Sequence, residues 1–295
     1  MITWGFPIWI YLWLAGMAAG AYFAAFLAER FGKYSDHRIL HASLYLGVPA
    51  AMAGVLFLLY DLGHPLRFWR LFVSFNLISP MSIGSWLLVL WTGIGVLILF
   101  LWHMRNRIHV NPATVKLITN ILHWGCFFAS VLLMSYTGVL LSVSIQPLWA
   151  TTFLLPALFV VSATSTGAAI LILAGLITRS WKAHGETIRR MVQVDAVVIV
   201  IELIILAVYL LWLSKSGDPG ASEAMITLTK GVLAVRLWVG VVLLAIMVPF
   251  ALDIAHWGKK LEDHRVVVIF ATASSACVII GGLVLRIVIV TGGQI

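Results

Sequence analysis

The sequence predicts an all-α membrane protein with about eight spanning helices, and three observations predict it. Of its 295 residues 62% are hydrophobic and only 10% are charged, against roughly 25% charged residues in an ordinary soluble domain. The mean hydropathy is +1.06. The apolar residues gather into eight stretches long enough to cross the hydrocarbon core, which takes about 20 residues in a helix. A soluble fold is excluded, and eight crossings leave no room for a second globular domain. Residues 1–295 read as a single integral membrane domain.

The stretches run near 7–28, 40–61, 83–104, 115–141, 151–177, 190–214, 231–256 and 265–290. Each is bounded by charged or turn-forming residues. The first ends at Glu29-Arg30 with no basic leader and no small-residue cleavage site, which predicts a retained helix. The fourth and fifth are separated only by a short uncharged connection carrying Gln146-Pro147. Eight spans with a short central connection predict two four-helix bundles. Small residues crowd Ala15–Gly20 in the first span and Ser162–Gly167 in the fifth, which predicts close approach of neighbouring backbones.

Orientation follows from Lys and Arg. Of the nineteen, thirteen fall in the odd-numbered connections, four (Arg67, Arg70, Lys215, Lys230) in the even-numbered ones, and Arg236 and Arg286 within spans. Positive charge stays in the cytoplasm, so both termini are expected outside. The net charge of +8 is assigned to cytoplasmic loops and anionic lipid headgroups, not to nucleic acid. Cys126 and Cys277 lie in apolar stretches, which points to packing and not to a disulfide framework or a Cys-ligated metal.

Ionisable side chains within a bilayer are costly and mark function by default. Ordered by depth at about 1.5 Å per residue, they form two layers. Asp61, Tyr11, Tyr136, Arg236 and Arg286 lie toward the outer surface, and His41, His103, Asp195, Asp253 and His256 toward the cytoplasm; Glu202 and His123 are deepest. Asp195 and Glu202, seven residues apart, share a face of the sixth helix, with Asp253 at a depth similar to Asp195. Either these carboxyls form a half-channel for protons, or Glu202 is a structural carboxyl and the aspartates are helix-end residues.

The longest outer connection begins Asp61-Leu62-Gly63-His64-Pro65-Leu66-Arg67-Phe68-Trp69-Arg70 and continues to Ser79-Pro80-Met81-Ser82-Ile83-Gly84-Ser85-Trp86. It sets a carboxylate beside an imidazole, a combination that can relay protons. Equally, Asp61 can pair with Arg67 while Trp69 and Trp86 anchor the interface.

These residues resemble the NrfD/PsrC family, membrane subunits of polysulfide reductase and related enzymes. Asp61-Leu-Gly-His-Pro, Arg67-Phe-Trp, Ser79-Pro-Met-Ser and Gly84-Ser-Trp carry the likeness, together with Pro7, Tyr11-Leu12, Gly16-xxx-Gly20, Tyr136-Thr-Gly-Val-Leu-Leu and the polar run of the fifth helix. The resemblance implies a multi-pass subunit of the prokaryotic cytoplasmic membrane that exchanges electrons with a menaquinone or ubiquinone pool. It implies a four-cluster ferredoxin-like iron–sulfur partner docked on the outer face, serving a molybdopterin catalytic subunit, with no haem or cluster in this chain. Tyr136 is then the quinone headgroup donor. Tyr11, Asp61 and Ser85 line the pocket and its rim, and Arg67 holds Asp61 ionised or meets the partner. Asp61, His64 and Glu202 are the expected proton-transfer groups, with proton translocation as a further expectation. The outer start of the first helix, Trp4-Gly-Phe-Pro-Ile-Trp9, lacks the Asn or His contacts usual in that family.

Two rival readings remain from the residues alone. A haem b anchor needs facing axial histidines, and only His123 lies clearly within a span. A secondary transporter would use Asp195, Glu202, Arg236 and Arg286, yet no inverted repeat or matched pair of broken helices is visible.

Overall fold

A computed structural model describes residues 4–31, 38–61, 68–69, 79–104, 111–144, 146, 148–149, 152–177, 181–217, 219–258 and 264–294, and the side chains of all of these except 31, 112, 181–189, 256–258, 264–265 and 267. The helices are α1 (Phe6–Phe31), α2 (Arg38–Asp61), α3 (Pro80–Met104), α4 (Pro112–Ser142), α5 (Leu154–Ile177), α6 (Trp181–Lys215), a short α7 (Pro219–Thr229), α8 (Val248–Gly258) and α9 (His264–Gly292). A π-helical segment, Arg236–Met247, runs directly into α8. No strand occurs among the described residues.

Among the described residues eight helices are long and apolar enough to cross a membrane: Phe6–Arg30, Arg38–Asp61, Pro80–Met104, Ala113–Ser142, Leu154–Ile177, Arg190–Lys215, Arg236–Ala255 and Val268–Gly292. Every predicted stretch corresponds to one of them. The largest shift is in the seventh, expected from residue 231 and found from Arg236. There the backbone first closes α7 with bonds from Gly231 to the carbonyl of Ile226 (2.9 Å) and from Leu233 to that of Thr227 (3.4 Å).

Local chemistry accounts for the ends and the irregularities. Asn111 caps α4 by accepting from the Ala113 amide at 3.0 Å, with Pro112 in the first turn, where its missing N–H costs nothing. Gly217, at φ +69°, turns the backbone between α6 and α7 in a region that only glycine enters freely. The π segment ends two residues before Pro249, and the Val248 amide bonds five residues back to Leu243. A proline removes one i→i−4 bond and crowds the carbonyl four residues earlier. Wider i→i+5 turns before it relieve that crowding.

Lipid tails are as apolar as leucine, so close packing rather than hydrophobic exclusion holds such helices together. α1 is the central element, packed on α2, α4, α5 and α9. α3 packs on α4 and α2; α6 packs on α5; α9 packs on α5, the π segment and α8. The helices thus form two groups of four, α1–α4 and α5, α6, the π–α8 unit and α9, joined along α1 and α5.

The small-residue runs form that join. A Cβ on Gly20 would stand 1.9 Å from the Ala163 carbonyl oxygen, and one on Gly167 2.1 Å from the Ala21 nitrogen. The backbones touch there, and only hydrogen fits between them.

One face carries both ends of the described chain. The Trp4 amide donates to the Gln294 side chain (2.7 Å), whose Nε2 donates back to the Trp4 carbonyl (2.9 Å). The Trp149 indole donates to the Ile289 carbonyl (2.8 Å), and the Tyr209 hydroxyl to the Leu148 carbonyl (2.7 Å). We call this the Trp4 face. α1 ends at the opposite, Arg30 face.

Candidate functional site

Three clusters of polar side chains stand out among the described residues inside the bundle, and α1 borders all of them. Toward the Trp4 face, Tyr11 of α1 and Tyr136 of α4 are both buried, and their hydroxyls are close enough to interact. The Tyr136 ring lies flat on Gly84 of α3, where a Cβ would stand 1.7 Å from Cζ and 2.1 Å from the hydroxyl oxygen. Gly54 of α2 backs Tyr11, its virtual Cβ 3.4 Å from Cδ2. Four helices therefore meet at two hydroxyls, each able to donate one hydrogen bond and accept two.

The second cluster lies at the join. Arg286 of α9 is 0% exposed. Its Nη1 donates to the Ser162 hydroxyl (2.5 Å) and the Gly282 carbonyl (3.1 Å), its Nη2 to the Phe159 carbonyl (3.4 Å), and its guanidinium lies 4.9 Å from the Phe159 ring centroid. Ser162 also faces the buried carboxyl of Glu202, so the hydroxyl stands between cation and carboxyl. Continuing toward the Arg30 face, buried Asp195 faces Ser165 without closing a hydrogen bond. Asp195 is within electrostatic range of both Glu202 and Asp253, and Asp253 faces Ser274 of α9. One oxygen of Asp195, one of Asp253 and the Arg286 Nε have no hydrogen-bond partner. Such orphaned atoms are costly in a dry interior and mark where water or a transferred proton would be held.

These two clusters adjoin. A Cβ on Gly16 would lie 3.6 Å from Arg286 Nη2, and Gly16 is five residues, about 7.5 Å of helix rise, from Tyr11. Thr166 donates to the Ser162 carbonyl and lines the same junction beside Gly282.

The third cluster occupies the Arg30 end of the first helix group. The Tyr22 hydroxyl lies 2.9 Å from His123 Nδ1 and 3.2 Å from the His123 carbonyl oxygen. His41, also buried, stacks on Trp102 at 4.0 Å and meets the His123 ring edge-on at 6.0 Å.

The expected site residues divide accordingly. Tyr11 and Tyr136 are brought together. Glu202 joins Asp195 and Asp253, as their shared face and depth predict. Asp61 is exposed at the end of α2, and Ser85 spends its hydroxyl within α3, donating to the Met81 carbonyl at 2.8 Å. His64 and Arg67 lie outside the described residues. Depth reasoning set Arg286 in the outer layer, apart from Glu202. The structure joins them, because a helical side chain points back toward the N-terminus of its helix and the guanidinium reaches a full turn to Gly282. His41, assigned to the cytoplasmic margin, is buried because α1 and α4 extend past it. No group of three or more His, Cys, Asp or Glu side chains suited to a metal ion occurs among the described residues.

Comparison with known proteins matches residues 1–295 to the family described as "Polysulphide reductase, NrfD". A polysulfide reductase component from Wolinella succinogenes is 28% identical, over 99% of this sequence and 95% of its own length. Protein NrfD of Escherichia coli K12 is 28% identical, over 100% of this sequence and 96% of its own. A segment of 84 residues, 28% of this sequence and 19% of the relative, is 37% identical to a selenate reductase component from Mesobacillus selenatarsenatis.

Proposed function

The chain belongs to the NrfD polysulphide reductase family, and on that premise we propose that it is the quinone-reactive membrane subunit of a respiratory oxidoreductase complex. Its relatives include subunits named for polysulfide and selenate reductases, which supports a role within such an assembly. The observation that carries the quinone reading is the Tyr11–Tyr136 hydroxyl pair seated on Gly84. It lies toward the face where Asp61 ends α2.

A quinol that is oxidised gives up two electrons and two protons; reduction takes up the same. The electrons pass to or from a cluster of an iron–sulfur partner on the extracytoplasmic side, which in turn serves a molybdopterin subunit. Tyr136 donates to one quinone oxygen, and Tyr11 fixes the orientation of that donor. Because burial excludes water around them, these contacts set the headgroup in one pose. Asp61 and His64 exchange protons with the outer aqueous phase, and Arg67 belongs to the partner-facing rim.

The polar path from Asp253 through Asp195 and Glu202 to Ser162 and Arg286 supports proton access from the Arg30 face, which the count of basic residues assigns to the cytoplasm. Arg286 balances Glu202 while that carboxyl is ionised; a proton arriving there leaves the pair with one net positive charge until it is passed on. Proton uptake from one face and quinone chemistry near the other would make turnover electrogenic.

The test is purification of the intact complex through a tag on this protein, followed by addition of quinol under anaerobic conditions. Reduction of co-purified iron–sulfur clusters, seen by electron paramagnetic resonance, is the expected result. Recovery of the protein with no redox partner and no quinone-dependent signal would overturn the proposal.

A further inference from the structure

The cluster around Tyr22 takes no part in the quinone chemistry above, yet it is built as a site. A tyrosine hydroxyl has one hydrogen, and Tyr22 lies within hydrogen-bond distance of both Nδ1 and the carbonyl oxygen of His123. When that hydrogen goes to the carbonyl, Nδ1 must carry a proton of its own and donate to the Tyr22 oxygen. When it goes to Nδ1, the ring accepts there. The same contact therefore serves the neutral ring and the charged one. His41 lies across from it, its ring 6.0 Å away and backed by Trp102 at 4.0 Å.

Phe23, Phe26, Trp124 and Phe127 pack into a wall on one side, with Phe26 and Phe127 centroids 4.6 Å apart and Phe23 and Phe127 5.3 Å apart. Two imidazolium charges at this separation in such a medium repel strongly. Binding a first proton therefore disfavours a second on the facing ring. Among the described residues the other titratable and charged groups around it come from α1, α2, α3 and α4. From α1 they are Glu29, within electrostatic range of Tyr22, and Arg30, whose charge rests 5.8 Å from the Trp124 ring centroid. From α2 comes exposed Arg38, one turn before His41; from α4 itself comes Cys126, next to Tyr22. The α3 side offers Trp102 and, beyond it, exposed His103. Among these groups Glu29 carries the carboxylate.

We propose that His41 and His123, facing each other ring to ring with Tyr22 hydrogen-bonded to His123, form a buried proton-binding site that holds a single shared proton and exchanges it with the aqueous phase at the Arg30 face by way of Glu29. It is separate from the Asp253–Asp195–Glu202 path, which runs through the second helix group. The ligand is a proton alone, and the site's occupancy follows the pH of that face. None of this rests on the quinone reading, so either can fail without the other.

Infrared difference spectra of the full-length protein in detergent, ring-labelled with ¹³C-histidine and taken between pH 8 and pH 5, test it. His41→Gln and His123→Gln should each keep the full imidazolium signal of the wild type, because the remaining ring takes the proton. The double variant should lose one proton's worth. Tyr22→Phe, which keeps the packing, should lower the midpoint of this step by about half to one pH unit, because a hydrogen bond to the charged ring is worth more than one to the neutral ring. Additive losses in the single variants would show two independent histidines, and an unchanged double variant would show that neither titrates; each overturns the proposal. Should the double variant not fold, an unmoved midpoint in Tyr22→Phe overturns it as well.

Discussion

The ring of Tyr136 fills the space that any side chain on Gly84 would need, with Cζ 1.7 Å and the hydroxyl oxygen 2.1 Å from a virtual Cβ. A single methyl group must therefore push the tyrosine away from Tyr11. Gly84→Ala is expected to leave the complex assembled, because α3 gains a better helix former, while slowing quinol oxidation about tenfold or more, the usual cost of misplacing a positioned group. Gly93, on the same helix with nothing within 4 Å of a virtual Cβ, is the control, and Gly93→Ala should oxidise quinol at the wild-type rate.

Arg286 is expected to dominate stability at the join. Its guanidinium serves Ser162, Phe159 and Gly282 at once, so Arg286→Ala strands several buried partners and leaves Glu202 without its cation. A loss of about 3–5 kcal/mol is expected, read as a lowered unfolding temperature in detergent. Because the two groups share Ser162, adding Glu202→Gln should cost less in the double variant than the single losses predict.

Glu202→Gln separates chemistry from proton movement. It keeps the shape and the hydrogen-bonding capacity toward Ser162 but cannot carry a proton onward. Quinone binding should persist and redox-linked proton uptake into sealed vesicles should stop. Undiminished uptake would remove Glu202 from the path.

The crossing of α1 and α5 tolerates no added atom. Gly20→Ala puts a methyl 1.9 Å from the Ala163 carbonyl oxygen and should destabilise the protein by about 1–3 kcal/mol, the range for overpacking. Gly125→Ala, whose nearest neighbour would be a side-chain carbon at 3.8 Å, should be neutral in the same thermal assay.

The sequence made the spans legible because length and apolarity are what a bilayer demands of a helix. The small runs at Gly16–Gly20 and Ser162–Gly167 marked the crossing for the same reason that they make it possible. Tyr11 and Tyr136 could be assigned to one layer, and Asp195, Glu202 and Asp253 to one path, since spacing along a helix fixes depth. That rule fails for long side chains. It measures depth at Cα, whereas Arg286 acts a turn away from its own Cα, and so its place beside Ser162 was hidden. His41 was hidden because the end of an apolar run is not the end of the bundle. The wide turns of Arg236–Met247 leave no mark in hydropathy, although Pro249 shows where such a distortion is needed. The late start of the seventh span reflects turn bonds at Lys230–Leu233 that composition does not reveal.

The central claim is that a quinone headgroup sits against Tyr136 and Tyr11. Photolabelling of the intact complex with an azidoquinone, followed by peptide mapping, tests it most directly. The account predicts labels on peptides containing Tyr136, Tyr11 or Gly84, displaced by excess quinone and much weakened in Tyr136→Phe. Saturable labelling confined to the second helix group, or to the Arg30 end around His123, with no change in Tyr136→Phe, would contradict it.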